Sequence, residues 1–353
     1  MRIKDLRRQI DNVDDRILKL LIKRAEIVKK IAELKRKKKL DVFSPEREKE
    51  ILERIKKAGT SILKETDIEL IFKEIFSVFR SLDTNLYVAY LGPEGTFTHL
   101  AAVKKFGKKM HYYECESIKD VFDGVEKNNT DFGVVPVENS IEGVVNYTLD
   151  MFFDSQLKIC SEILLDIHHD LLGNSSLKKI KRVYSHPQVF AQCRNWLSKN
   201  LKNVEFVSCV STAAAALKAK EDIYGACIGS RILASLYHLK ILAKNIQDST
   251  FNLTRFLVIA KKDSPPSGKD KTSLLFSVKD KVGALYDALY SFKKYGINLT
   301  KIESRPSKRK AWEYYFFVDF EGHRLDKNVE KSLKELEKRC NFVKILGSYP
   351  KES

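Results

Sequence analysis

The chain is poor in the residues that build staples, metal cages and nucleotide loops. Its six cysteines, at 115, 160, 193, 209, 227 and 340, form no CxxC pair and no framework spacing. That excludes a disulfide scaffold and a zinc ribbon, and leaves scattered, reduced, mostly buried thiols. No GxGxxG occurs, which argues against a dinucleotide site. No His, Cys and carboxylate cluster has ligand spacing, so neither a metal nor another cofactor is expected. No apolar run approaches a membrane span, and the charged opening MRIKDLRRQID has no signal-peptide core. A soluble, cytoplasmic protein without a membrane partner is the expectation. Basic charge is plentiful, with a net +17 and a pI of about 9.4. Yet the densest run, Lys35 to Lys39, reads as a solvated helix end, and no zinc spacing or aromatic-interleaved basic repeat accompanies it. Nucleic acid is therefore not expected as a partner.

What is present suffices for two or three domains, since 43% of the 353 residues are hydrophobic. The stretch DFGVVPVENSIEGVVNYTLD, 131–150, organises the rest. Phe132 to Val137 reads as a buried strand that stops at Glu138, Asn139 and Ser140. Beyond Gly143, Val144, Val145, Tyr147, Leu149 and Phe152 resume at helical spacing. Open α/β sheets bind ligands at such strand ends, facing helix N-termini. An ordinary capped turn is the other reading of this stretch alone.

The first 35 residues carry a stripe of Leu6, Ile10, Val13, Ile17, Leu20, Leu21, Ile27, Val28, Ile31 and Leu34, without proline or glycine. Such a helix is about 45 Å long, too long for one small globule to cover, so a helical partner or dimer is expected. Arg24 interrupts the stripe, with Arg7 and Lys35 at its edge. A buried guanidinium needs an anion, either a ligand or a carboxylate such as Glu48. Ser44-Pro45-Glu46-Arg47-Glu48 starts a second helix, and 67–82 a third.

LRRQIDNVDDRILKLLIKRAEIVKKIAELK followed by SPEREKEILERI resembles the all-helical class of chorismate mutase, over about residues 3–83. The resemblance implies that Arg7, Arg24 and Arg47 hold the carboxylates of chorismate. Lys35 would reach the ether oxygen and Glu48 the ring hydroxyl. A Claisen rearrangement needs no acid or base, only a dianion held compactly with charge beside the breaking C–O bond. The chain departs from the family at Ser44, Phe79 and Asp83. A helical domain that serves only as a dimerisation scaffold is thus the alternative.

Further on, Gly92 to Ala102 and Val210 to Ala216 read as strand-to-helix turns with hydroxyl caps, Thr96 and Thr98 in the first and Ser211 and Thr212 in the second. His186 follows a short strand and is either a general base or structural in a proline-containing turn. Thr254 and Arg255 stand at the entrance of a strong strand. Together GPEGTFTHLAA, VVPVENSIEGVVNYTLD, YSHPQVFAQC, STAAAA and NLTRFLVI resemble prephenate dehydratase across about residues 86–262. The resemblance implies two α/β lobes like a type II periplasmic binding protein, with the chain crossing between lobes near 168 and 245. It implies that Thr254 donates the proton to the departing hydroxyl of prephenate. Asn139, Ser140, Ser185, Gln192, Ser211 and Thr212 would bind and orient the substrate, and Arg255 and Phe256 would shape the site.

A Pro-, Ser- and Gly-rich stretch, 261–270, reads as a linker. The pattern beyond it is βαββαβ, the ferredoxin-like order. GALYDAL and NLTKIESRP resemble the ACT regulatory domain, which implies an L-phenylalanine site between two protomers. Gly283, Ala284, Leu285, Asn298 and Leu299 would form it, with Glu303 and Ser304 in the accompanying signature. The expected fold class is therefore multidomain: an all-α mutase domain at 1–83, a two-lobed α/β dehydratase domain at 84–262 and an ACT domain at 270–353. The expected assembly is a homodimer or homotetramer. A chain lacking 270–353 is expected to remain catalytic and to lose its response to phenylalanine.

Overall fold

The computed structural model describes residues 2–38, 45–57, 62–80, 86–307 and 314–352. They fall into two compact units: residues 1–86 with 107–111, and the remainder.

The first unit contains α1 (Ile3–Lys37), α2 (Pro45–Lys57) and α3 (Glu65–Arg80). Carboxylates lie in the first turn of each helix, where the backbone dipole favours them. Most of the α1 stripe stays bare: Ile10 is 59% exposed and Leu20 67%. One chain does not cover this helix, as its length anticipated.

The second unit holds three sheets. Residues 87–166 supply β1 (Tyr87–Leu91), α4 (Phe97–Phe106), β2 (His111–Cys115), α5 (Ile118–Glu126), β3 (Phe132–Asn139), β4 (Gly143–Val144), α6 (Asn146–Asp154) and β5 (Lys158–Asp166). Residues 170–243 supply β6 (Asp170–Gly173), β7 (Arg182–Ser185), α7 (Pro187–Gln192), α8 (Arg194–Asn200), β8 (Glu205–Ser208), α9 (Thr212–Glu221), β9 (Gly225–Gly229), α10 (Ile232–Tyr237) and β10 (Lys240–Ala243). With β11 (Leu253–Ala260), the first sheet has the order β2-β1-β3-β11-β5, and β4 folds back on β3; the second has the order β10-β6-β9-β7-β8. The chain leaves the first sheet after β5 and returns at β11, close to the two anticipated crossings.

One detail differs from the sequence reading. Gly143 and Val144 do not begin a helix but pair with Asn139 and Glu138. Gly143 sits at φ +83, a left-handed conformation that glycine adopts without a Cβ penalty. The helix starts at Asn146, after the hairpin has closed the turn.

The third sheet follows the ferredoxin-like order. β12 (Asp270–Val278), α11 (Ala284–Lys294), β13 (Leu299–Pro306), β14 (Tyr314–Glu321), α12 (Lys327–Arg339) and β15 (Cys340–Pro350) assemble as β13-β14-β12-β15. Alternation splits its side chains between two cores. Leu274, Phe276, Val318 and Phe320 pack under α11 and α12. Leu275, Phe317, Leu346 and Tyr349 instead join Val121, Phe122, Phe152 and Ile159 in the core of the first lobe. A Cβ on Gly347 would overlap the Ile159 carbonyl oxygen, so β15 rests directly on the backbone of β5. Nor is the 261–270 stretch a free tether: Ser264 Oγ donates to the Cys160 carbonyl at 2.7 Å, and Asp263 pairs with Arg324.

Candidate active sites

In the first lobe, β3 exits its sheet where β11 enters, because the two strands run antiparallel. Thr254 is directly opposite Asn139 in that register. Asn139 Nδ2 donates to Thr254 Oγ1 at 2.7 Å and to Asn252 Oδ1 at 2.8 Å. Asn139 Oδ1 accepts the backbone N–H groups of Ile141, at 2.9 Å, and Glu142, at 3.0 Å. Backbone N–H groups only donate, so they fix which end of the amide faces Thr254. The Thr254 oxygen therefore accepts from Asn139, and its own hydrogen is left to point elsewhere.

The same logic runs onward. Asn252 Nδ2 donates to Gln192 Oε1 at 3.0 Å, and Gln192 Nε2 to Glu142 Oε1 at 3.0 Å. His169 Nε2 lies 2.9 Å from that same Gln192 oxygen, so it must carry a hydrogen. Burial lowers the pKa of His169 below its ordinary value, partly offset by the bond to Gln192, and this favours a neutral ring. The unfolded chain takes up that proton near pH 6.5, before the folded one does. Stability is thus lost as pH falls below about 6.5. A His169→Gln protein should show a shallower fall in urea midpoint between about pH 8 and 5.5 than the unaltered protein. Equal slopes would mean that this imidazole is not held neutral.

Asn139, Thr254, Gln192, Glu142 and His169 line a cleft of about 440 Å³. Of the residues expected to meet prephenate, Thr254, Asn139, Gln192, Ser211, Thr212 and Phe256 line it. Ser211 caps α9, its Oγ accepting the Ala214 N–H at 3.0 Å, so a helix N-terminus opens into the cleft. His186 also lines it while capping α7 through Gln188 N–H, as the proline-turn reading requires.

Three expected residues are placed elsewhere. Ser140 Oγ is occupied by the Phe251 carbonyl and the Leu253 N–H. Ser185 is fully buried and donates to the Ile228 carbonyl at 2.9 Å. Arg255 follows Thr254, so the pleat turns it to the opposite face of the sheet. There it pairs with Glu162 at 2.8 Å and with Asp319. Glu142, His169 and Gln188 line the cleft without having been anticipated as ligands. Glu142 and Gln188 lay inside quoted motifs. His169 lies in the short link between β5 and β6 and gave no signal.

The helical unit has its own pocket, of about 430 Å³. Arg24, Lys35, Arg47 and Glu48 line it, as expected. So do Lys23 and Arg80, which leaves five cations around one carboxylate among the lining residues. The Arg24 guanidinium lies 4.6 Å from the ring centre of Phe79 and 5.5 Å from that of Phe76. Its Nη1 is buried without a hydrogen-bond partner, and desolvation lowers its pKa against the pull of Glu48. Glu48 itself reaches Arg80 at 3.4 Å. Arg7 is exposed and absent from the lining. It precedes Arg24 on the same helix by about 25 Å, so one chain cannot bring both to one small molecule. Ser44 and Asp83 lie outside the described residues.

The C-terminal candidates are split likewise. Gly283, at φ +79, caps α11 before Ala284 and Leu285, whereas Asn298 and Leu299 follow its far end. Nine helical residues, 286–294, lie between the two groups, a rise of about 14 Å. Glu303 and Ser304 lie on opposite faces of the edge strand β13. Among the described residues no His, Cys, Asp and Glu group could hold a metal ion. No described helix is long and apolar enough to cross a membrane.

Three family models match the chain: chorismate mutase type II at residues 6–84, prephenate dehydratase at 88–264 and the ACT domain at 272–338. A bifunctional chorismate mutase/prephenate dehydratase of Aquifex aeolicus is 53% identical over 354 residues, covering 99% of this chain and 98% of that protein. The crystal structure of prephenate dehydratase from Arthrobacter aurescens in complex with L-Phe is 33% identical, with a TM-score of 0.70, covering 75% of this chain and 90% of that one. A quorum quenching acylase is also similar, at 28% identity and a TM-score of 0.70, covering 75% of this chain and 98% of that one. The choice of chemistry therefore rests on full-length relatives and on site residues, not on fold alone.

Proposed function

The chain belongs to the bifunctional chorismate mutase/prephenate dehydratase family, and from that premise we propose which groups carry each step. The cleft converts prephenate to phenylpyruvate, carbon dioxide and water. The observation that carries this reading is the orientation of Thr254. Asn139 donates to its oxygen at 2.7 Å, so the hydroxyl hydrogen is free for the departing C4 hydroxyl of the substrate. The same N–H stabilises negative charge on Oγ as the proton leaves. Threonine is a weak acid, but formation of an aromatic ring drives the step, and a placed hydrogen bond then suffices. Gln192, Ser211, Thr212 and the α9 N-terminus hold the dianion, and Phe256 shapes the floor.

The helical unit rearranges chorismate to prephenate. Arg24 Nη1, buried without a hydrogen-bond partner, is the donor offered to a substrate carboxylate. Lys35, Arg47 and Glu48 complete the pocket, and Arg7 enters it from a second copy of the chain. The bare α1 stripe supports that assembly, a homodimer at least, or a homotetramer. L-Phenylalanine binds between two C-terminal domains, where Gly283–Leu285 of one copy meets Asn298–Leu299 of the other. Val282 is 102% exposed and Tyr286 69%, an apolar surface suited to such a contact.

Separate assays with chorismate and with prephenate test the whole reading. Phenylpyruvate from prephenate without turnover of chorismate would reduce the helical unit to a scaffold. Arg24→Ala should lower chorismate turnover at least about a hundredfold and leave prephenate turnover within about twofold. A mutase that tolerates this change would remove Arg24 from the site.

A further inference from the structure

Asn139 and Thr254 face the cleft, and their strand neighbours Glu138 and Arg255 face the other way. Glu138 and Arg255 are themselves directly opposed across β3 and β11. The chemistry thus stands on one face of this strand pair, and a couple of opposite charge stands immediately behind it. Each member of that couple is held by the C-terminal sheet. Lys301 of β13 reaches Glu138 at 2.7 Å. Arg255 Nη1 donates to Asp319 of β14, and Nη2 to Tyr349 Oη of β15 at 2.9 Å. Its Nε donates at 2.8 Å to Glu162, which Lys271 of β12 also grips at 2.8 Å. All four strands of the third sheet therefore reach the back of the catalytic rim through ion pairs or hydrogen bonds. Two cations and two carboxylates balance around Arg255, with the Lys301–Glu138 pair beside them.

We propose that Glu138 and Arg255 are positioning residues for dehydration, set from behind by Lys301 and Asp319. The C-terminal sheet is then a structural part of the dehydratase site, with effector present or absent. Neither residue touches substrate. Each fixes the backbone at which Asn139 and Thr254 project, so a shift of the third sheet moves the donor and its hydroxyl together. This inference rests on the cleft being the dehydratase site.

The test uses full-length protein carrying Lys301→Glu, Glu138→Lys or both, assayed with prephenate and with chorismate and compared for thermal midpoint. Each single reversal should lower kcat for prephenate about tenfold or more, because small displacements at the reacting atoms are costly, with KM moving much less. The double reversal should regain most of the loss, and mutase turnover should not change. A merely structural pair would alter the thermal midpoint and leave kcat alone. Folded single variants with unaltered kcat, or a double variant no better than the singles, would overturn the proposal. Should the reversals fail to fold, Asp319→Asn keeps the shape and gives the same readout: a lowered kcat with KM little changed supports positioning, and an unaltered kcat refutes it. An unaltered protein that leaves prephenate untouched would sink the functional reading itself, a distinguishable failure.

Discussion

Thr254→Ala is expected to lower prephenate turnover by about 10²–10⁴-fold, the usual contribution of a placed proton donor. Chorismate turnover should remain within about twofold, since the mutase residues belong to the other compact unit. Thr254 is buried, at 8% accessible, but its methyl group contributes little packing, so the protein should still fold. Thr254→Ser, which keeps the hydroxyl, should retain far more activity than the alanine variant. Rates measured by phenylpyruvate absorbance decide the matter. Loss of both activities together would mean that the two sites are wrongly placed, and retention of both would leave the proton without a source.

Deletion of residues 270–353 is expected to destroy the dehydratase rather than merely desensitise it. From sequence alone this segment looks like a detachable regulator. The structure ties it to the catalytic lobe in two ways. Leu275, Phe317, Leu346 and Tyr349 complete the lobe's own core. Asp319, Lys271 and Tyr349 neutralise or satisfy Arg255 and Glu162, both buried. Large apolar side chains lost from a core cost about 2–5 kcal/mol each. A domain's whole stability is about 5–15 kcal/mol, so a core opened at four positions, with Arg255 and Glu162 left only each other as partners, suffices to unfold it. The truncated chain should bind a hydrophobic dye and show no near-ultraviolet dichroism or prephenate turnover. A monodisperse truncation with unaltered kcat would contradict this.

Much of this protein is legible in its residue pattern. Glycine-free periodicity marks the long α1, and its bare stripe follows from simple length. The βαββαβ order announces the third sheet. Asn139, Gln192, Ser211, Thr212 and Thr254 are legible because polar residues at strand ends and helix starts point outward from a sheet rim. Ser140, Ser185 and Arg255 are misread for a related reason. Each belongs to a motif that also supplies a cleft residue, and adjacency in a motif does not say which way the side chain turns. His169 escapes notice because its position depends on β5 giving way to β6, a long-range event without a local mark. Phe79 looks like a defect in the mutase motif, yet its ring lies against the Arg24 guanidinium.

The order of residues was enough to settle the elements, their succession and the chemistry available, because periodicity, caps and motif residues are local properties. Which hydroxyl is left free to donate, and which charges meet, was settled only by folding. Those outcomes depend on register: pairing Thr254 with Asn139 and Arg255 with Glu138 puts one couple in the cleft and the other against the C-terminal sheet. A slip of one residue would exchange the two faces.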